Sequence, residues 1–285
     1  MATKKTASAK KSKPTIAKPA KTKVTTVKAV AADSTPKAPT YKQRVGQLSN
    51  RTGMLSAHIA EFVGTFILAA VAVLSQGQPL FVGFALIAIV LTIGSLSGSH
   101  VNPLVTVGAW VTRKITGLRA LGYVIAQILG GLLAFVVVSA FVSAAPEVSS
   151  EAQMYGQQAA TMFAASPIPE GKELYVFFAE MLGAAIFGLA FASTFRMRAD
   201  DYAARALTIG LGLFAAVTVA GVAVSYVGGS AVVNPAIAFT LQAVTFTDSF
   251  NLWAILSYII APIVGGVIGF FLYDIIRSEA DNTIV

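Results

Sequence analysis

Two asparagine-proline pairs interrupt a chain that is otherwise strongly apolar. Asn102-Pro103 lies in the stretch SGSHVNPLVTVGAW, and Asn234-Pro235 lies in GGSAVVNPAIAF. Proline is favoured at the first position of a helix, and asparagine is a favoured N-cap just before it. Each pair therefore predicts irregular backbone followed by a helix. The two pairs thus provide hydrogen-bond donors, namely two side-chain amides and two helix N-termini.

The two predicted helices are short, over about 103–112 and about 235–243. At about 1.5 Å per residue, each is about half as long as a membrane is thick. Irregular backbone at membrane depth is tolerated only where protein buries it or where it lines a wet cavity. The pairs therefore point to a cavity, provided that the rest of the chain spans a membrane.

The composition is that of a membrane protein. Of the 285 residues, 55% are hydrophobic and 12% are charged, about half the charged fraction of a soluble domain; the mean hydropathy is +0.72. The chain has no cysteine, which excludes disulfides and thiolate metal sites. Six stretches are long enough to cross a hydrocarbon layer of about 30 Å: about 55–75, 80–97, 118–143, 174–195, 204–226 and 251–276.

The basic residues are concentrated at the N-terminus. Residues 1–51 hold 13 of the 21 Lys and Arg, with Asp33 as their one acid. The segment is rich in Lys, Ala, Pro and Thr without periodicity, so residues 1–52 are predicted to be a disordered basic cytoplasmic tail ahead of a channel domain over 53–285. The tail can be simply solvated or can contact anionic lipid, which attracts each nearby Lys by about 1 kcal/mol. Nucleic acid is not expected as its partner.

The orientation follows from the bases in the loops. Six spans place both termini on one side, together with the basic loops around Arg113–Arg119 and Arg196–Arg205. Loops on the cytoplasmic side carry an excess of Lys and Arg. We therefore expect a multi-pass protein of the cell membrane with both termini in the cytoplasm.

The two halves of the chain resemble one another. AEFVG recurs as AEMLG, NPL as NPA, and AQILGGLLAF as APIVGGVIGF, in the same order. The repeats cover about 55–143 and about 174–276. Because each holds three spans, an odd number, the second must be inverted relative to the first, an arrangement that places sites near the midplane. The two short helices would then enter from opposite faces and meet at their N-termini. Their positive ends favour neutral hydrogen-bonding permeants and oppose cations.

At this point the sequence resembles the aquaporins, members of the major intrinsic protein channels, over about residues 55–278. The signature SGxHxNPxVT is present from Ser97 to Thr106. The resemblance also covers the glutamates of the first and fourth spans and a Tyr…Gln pattern in the third, at Glu61, Glu180, Tyr123 and Gln127.

The resemblance implies an all-α, aquaporin-like fold of six tilted transmembrane helices in a right-handed bundle plus two re-entrant half-helices. It also implies a homotetramer with one pore per subunit that conducts water, glycerol or other small neutral solutes. Glu61 and Glu180 would accept backbone N–H groups and brace the two re-entrant loops. Gln127 would brace a loop, and His100 would shape one. The residues alone leave a proton relay at the glutamates and a pH sensor at His100 open.

The sequence departs from the family pattern at several positions that the pore depends on. The second motif is complete with Ala236, but the first has the bulkier Leu104, expected near the junction of the half-helices. The residue after the second motif is Ile237, where the family usually has Arg. Offsets from the motifs place the other positions of the selectivity filter at Val82, Val222 and Ala231. This filter has no side-chain donor and no charge.

The leading hypothesis is a passive channel for water and/or small uncharged solutes. Alternatives are a facilitator of glycerol, another neutral solute or a gas with little water flux, a proton-coupled carrier, and an occluded structural or adhesion protein. An enzyme is not expected, because neither histidine has a visible catalytic partner. No cofactor and no metal site is predicted.

Overall fold

The computed structural model describes residues 41–198, 200–245 and 251–283. Its helices, numbered in chain order, are α1 (Tyr41–Leu74), α2 (Pro79–Ser97), α3 (Pro103–Val111), α4 (Gly117–Ser143), α5 (Ser150–Met154), α6 (Glu173–Ser193), α7 (Tyr202–Ser225), α8 (Pro235–Thr240), α9 (Leu252–Ile255) and α10 (Ala261–Thr283). A π-helical turn joins α9 to α10. Residues 1–40, which form most of the predicted tail, lie outside the described residues.

Among the described residues, six helical segments are long and apolar enough to cross a membrane: Gly53–Leu74, Pro79–Ser97, Gly117–Ser143, Glu173–Arg196, Tyr202–Ser225 and Leu252–Glu279. They lie within a few residues of the six predicted spans. The all-helical fold with six spans is therefore confirmed, and its apolar outer surface accounts for the exposure of side chains such as Phe81, Leu118 and Phe141.

The first helix begins earlier than the sequence suggested. Residues 41–52, which were expected in the disordered tail, are helical, because α1 begins at Tyr41. This segment has no proline and only one glycine, Gly46, and it extends a helix that the membrane span has already nucleated. The predicted boundary at residue 52 therefore falls inside α1.

The two short helices differ in length but end in the same way. α3 covers most of its predicted range, whereas α8 already ends at Thr240. Arg113 and Gln242, two residues beyond each helix, have left-handed backbones with φ of 60° and 54°. The next N–H in each case bonds back to a carbonyl five residues earlier, at 2.7 Å and 2.9 Å. These are matching Schellman ends, and they turn the chain back toward the side from which it entered.

Glycines in the two repeats let the helices pack at matching points. An added Cβ at Gly130 would lie 2.3 Å from the carbonyl oxygen of Phe62, and one at Gly265 would lie 2.1 Å from that of Met181. α4 therefore packs on α1 as α10 packs on α6. This correspondence is what an inverted repeat requires, and it holds the re-entrant segments between the two pairs of helices.

Candidate pore and its re-entrant loops

The two asparagines cap the half-helices. Asn102 Oδ1 accepts a hydrogen bond of 3.0 Å from the N–H of Leu104, and Asn234 Oδ1 accepts one of 3.0 Å from the N–H of Ala236. Both asparagines have extended backbones, and a proline follows each of them at the first helical position. This is the N-cap geometry expected from the Asn-Pro pairs.

The same two side chains also connect the loops to one another. Asn102 Nδ2 donates to the carbonyl of Val233 at 2.9 Å, and Asn234 Nδ2 donates to the carbonyl of Val101 at 3.0 Å. The motifs therefore meet, as the inverted repeat predicts. An amide nitrogen carries two protons, so each asparagine keeps one for a permeant. Half of the donor capacity of the two amides therefore holds the opposite loop.

The residues before the asparagines have unusual backbones. Val101 and Val233 have φ of 40° and 53°, a region that β-branched residues rarely adopt. Such a conformation persists only where its surroundings fix it. Here each valine's carbonyl accepts from the opposite asparagine, and its N–H is held by a buried carboxylate.

That carboxylate is Glu61 in the first repeat and Glu180 in the second, and both are fully buried. Glu61 accepts from the N–H groups of His100 and Val101 at 2.9 Å and 2.7 Å. Glu180 accepts from the N–H groups of Val232 and Val233, the latter at 2.8 Å. All four carboxylate oxygens thus accept from loop backbone, which favours the bracing interpretation over a proton relay.

Gln127 and His100 support the first loop. Gln127 Nε2 donates to Glu61 at 2.8 Å and to the Thr106 hydroxyl at 2.9 Å. His100 Nδ1 lies 3.2 Å from the same hydroxyl. Its ring contacts Tyr123 edge to face at a centroid distance of 5.2 Å. Both residues are buried and connect the loop to α4, which favours a structural interpretation of His100.

Two tyrosines hold the beginnings of the loops. The hydroxyl of Tyr123 donates to the Ser97 carbonyl at 2.8 Å, and that of Tyr258 donates to the Ser230 carbonyl at 3.2 Å. The sequence analysis did not assign Tyr258 a role. The repeat carried the signal, because Tyr258 precedes APIVGG by the same offset at which Tyr123 precedes AQILGG.

The side chain of Leu104 packs against α10. Its side chain is fully buried, and its Cδ1 would lie 2.9 Å from a Cβ added at Gly266 of α10. In the other repeat, an added Cβ at Gly131 of α4 would meet the carbonyl oxygen of Ala236 at 2.6 Å. The side chain of Leu104 thus packs into the space that Gly266 leaves, and α10 accommodates its extra bulk.

Replacing Leu104 with alanine should accordingly cost stability. The change would restore the usual motif but leave a cavity against α10, and buried Leu→Ala changes cost about 2–5 kcal/mol. We expect a lower thermal unfolding midpoint in detergent, with the ratio of water to glycerol permeability unchanged. Leu118→Ala removes the same atoms from a side chain that is 67% exposed and is the matched control. A shifted permeability ratio without loss of stability would contradict this placement.

A narrow cavity of about 20 Å³ lies beside the second motif. It has room for about one water molecule. Three of the four predicted filter residues line it, namely Val82, Ala231 and Ile237, and Asn234 lines it as well. The structure thus brings these three residues together.

The fourth predicted filter residue, Val222, does not line the narrow cavity, whereas Val217 on the same helix does. Val217 and Leu213, one helical turn apart on α7, line the narrow cavity. Val222 lies five residues after Val217, which turns it by about 140° around the helix. It is 51% exposed and lines an adjoining wider cavity of about 350 Å³, together with Val217 and Ala231. Val222 therefore stays a predicted filter residue that lines the wider cavity, and Val217 is the α7 valine that lines both cavities.

Comparison with known proteins identifies the family. A family model described as Major intrinsic protein matches residues 49–273. The chain belongs to the major intrinsic protein family. Six apolar spans and this membership make it a multi-pass membrane protein and a passive channel for water and/or small uncharged solutes.

The similar members of the major intrinsic protein family include a protein named for glycerol uptake and one named as an aquaporin. "Glycerol uptake facilitator protein-like 6" of Lactiplantibacillus plantarum is 31% identical over 230 residues, covering 78% of this chain and 98% of its own. "Aquaporin AqpM" of Methanothermobacter thermautotrophicus is 30% identical over 205 residues, covering 69% of this chain and 75% of its own. The structure of the aquaglyceroporin from Plasmodium falciparum superimposes with a TM-score of 0.57 at 21% identity, over 78% of this chain and 96% of that one, which supports the fold.

Proposed function

We propose that this channel selects its permeants at a constriction without any charged side chain and then passes them along the two central asparagines. The observation that carries the proposal is the position of Ile237, which lines the narrow cavity with Val82, Val217 and Ala231. A donor at this position would replace the hydrogen bonds that a permeant loses on entry. Isoleucine replaces none of them.

The lack of a donor affects water more than it affects amphipathic solutes. A water molecule in the narrow cavity meets Asn234 and otherwise apolar side chains. Each hydrogen bond that is not replaced costs on the order of 1 kcal/mol or more. A small polyol presents carbon atoms to the apolar wall and keeps its hydroxyls for the backbone carbonyls and the asparagines. We therefore expect a low water permeability per subunit and preferential passage of small neutral solutes with apolar parts.

A glycerol-type solute is the candidate that these features favour. The wide cavity before the constriction has a volume of about 350 Å³, and a Cβ added at Gly221 would meet open space. A solute larger than water can therefore reach the constriction. The name of the Lactiplantibacillus plantarum relative agrees with this substrate class.

We also propose a homotetramer in the cell membrane, with both termini in the cytoplasm and the basic tail near anionic lipid. The excess of Lys and Arg on the side of the termini supports the orientation. The tetramer is the assembly typical of the family. We assign the chain no enzymatic activity and no cofactor.

Ile237→Arg tests the constriction. We expect the variant in proteoliposomes to slow glycerol and urea by about tenfold and to leave water less affected, because arginine narrows the cavity while adding donors and a fixed charge. Stopped-flow light scattering on the wild type and the variant measures each solute.

Ile276→Arg is the control for added charge, since Ile276 is 54% exposed beside Arg277 and away from the narrow cavity. Equal permeability of wild type and Ile237→Arg to every solute would show that Ile237 does not line the constriction. A wild type that passes none of them would contradict the proposed function as a whole.

A further inference from the structure

We infer that Arg205 excludes cations at the end of the pore opposite the narrow cavity, where it supplies the fixed positive charge that the constriction lacks. Arg205 lies on α7, eight residues before Leu213, which lines the narrow cavity. Eight residues of helix span about 12 Å along the axis. Arg205 therefore belongs to the other mouth, on the side of the membrane that holds the two termini.

The guanidinium group lies beside the first re-entrant loop. A Cβ added at Gly98 would be 3.8 Å from Arg205 Nη2 and 3.8 Å from His100 Nε2. Gly98 ends α2 with a left-handed backbone, φ 91°, so it marks the point where the chain leaves the helix and enters the loop. Arg205 and His100 thus flank the same turn, three residues before Val101.

Among the described residues, no acidic side chain pairs with Arg205. Within the part of the chain that the structure describes, its side chain makes no hydrogen bond and no ion pair. Of the nearby acids, Asp200 pairs with Arg198 at 3.3 Å, and the Glu61 carboxylate accepts from loop backbone. Asp201 lies one turn before Arg205 and receives only its backbone N–H, through its own carbonyl.

A second basic residue, Arg119, lies at the same end of the pore. The Arg119 guanidinium lies 5.7 Å from the ring centroid of Tyr123, and that ring contacts His100. α4 and α7 therefore each contribute one arginine around His100. The positive ends of the half-helices lie farther in, so a cation entering from this side meets the arginines first.

The position of the Arg205 charge matters because the opposite end of the pore offers no charge of its own. The narrow cavity is lined by apolar residues and by Asn234, without any charged group. A charge near a mouth with low-dielectric walls acts on an approaching ion far more strongly than it would in water. Neutral solutes feel little of this field. Arg205 can therefore exclude cations without slowing the solutes that the channel passes.

Arg205→Gln and Arg205→Lys in the full-length chain form the test. Potassium flux and chloride flux are measured in proteoliposomes under a salt gradient, beside the glycerol flux of the same vesicles. We expect Arg205→Gln to raise potassium flux by about tenfold or more, with chloride and glycerol flux within about twofold of wild type. Arg205→Lys keeps the charge and should keep potassium out. Arg198→Gln removes a base that is exposed and already paired, and it is the matched control.

Two outcomes would overturn the inference. One is a potassium flux in Arg205→Gln equal to that of wild type in vesicles that still pass glycerol. The other is an equal rise of potassium and chloride flux, which would indicate a distorted pore and not a lost charge. The inference rests on the channel function but not on the proposed constriction, so an inert Ile237→Arg variant would refute the constriction and leave the role of Arg205 standing.

Discussion

Replacing Asn234 with aspartate is expected to lower the flux of neutral solutes at least tenfold and to let cations through. The cap survives, because an aspartate oxygen accepts from the N–H of Ala236 as well as an amide oxygen does. The second oxygen, however, replaces the amide that donates to the Val101 carbonyl. Two acceptors then face one another, and a negative charge stands where two helix N-termini concentrate positive potential. Glycerol flux and potassium flux in proteoliposomes measure both effects.

Asn251→Asp provides a control with the same chemistry. Asn251 also caps a helix, with its side chain accepting from the N–H of Ala254 at 3.1 Å, but it does not line the narrow cavity. Aspartate is an equally good cap there. We expect no change in either flux. If Asn234→Asp also left both glycerol flux and potassium flux unchanged, the junction of the half-helices could not be the permeation path.

We expect the second large effect, a loss of stability and glycerol flux, when a buried glutamate is replaced by glutamine. The loss should be larger in the second repeat than in the first. Glu180→Gln keeps one acceptor oxygen and turns an amide toward the other loop N–H, so that two donors face each other. An unsatisfied group in a membrane interior costs several kcal/mol. We expect a clearly lower unfolding midpoint in detergent together with loss of glycerol flux. Glu170→Gln, at an exposed position, should change neither.

The same change at Glu61 should be milder. Gln127 donates to Glu61 through Nε2, while its Oε1 has no hydrogen-bond partner among the described residues. Rotation of that amide would present an oxygen to the new donor at position 61. The corresponding residue of the second repeat is Pro262, which has no side-chain amide. Equal losses of stability in Glu61→Gln and Glu180→Gln would show that Gln127 does not compensate in this way.

Features set by local backbone chemistry were predictable from the sequence. The Asn-Pro pairs predicted the caps and the starts of both half-helices because a cap depends only on a few neighbouring residues. Apolar length predicted the six spans for a similar reason. The inverted repeat then fixed which segments meet. It would also have identified Tyr258, had the third-span tyrosine been carried across to the second repeat.

Features set by the direction of a side chain were not predictable in the same way. The sequence suggests that Leu104 adds bulk near the junction, whereas in the structure its side chain packs beside Gly266 on α10. The offset from the second motif predicts Val222 as a filter residue, but Val217 has the helical phase that faces the narrow cavity. The reciprocal bonds of the asparagines depend on carbonyl directions that the left-handed valines create.

The reciprocal asparagine bonds also set an order for biosynthesis. The carbonyl of Val101 receives its donor from a residue 133 positions later in the chain. A ribosome that adds about 5–20 residues per second takes roughly ten seconds to make that partner. During this interval the first re-entrant loop is complete in sequence but lacks half of its junction. The first three spans must therefore wait in the membrane with an open loop, and the second repeat closes the loop as it folds.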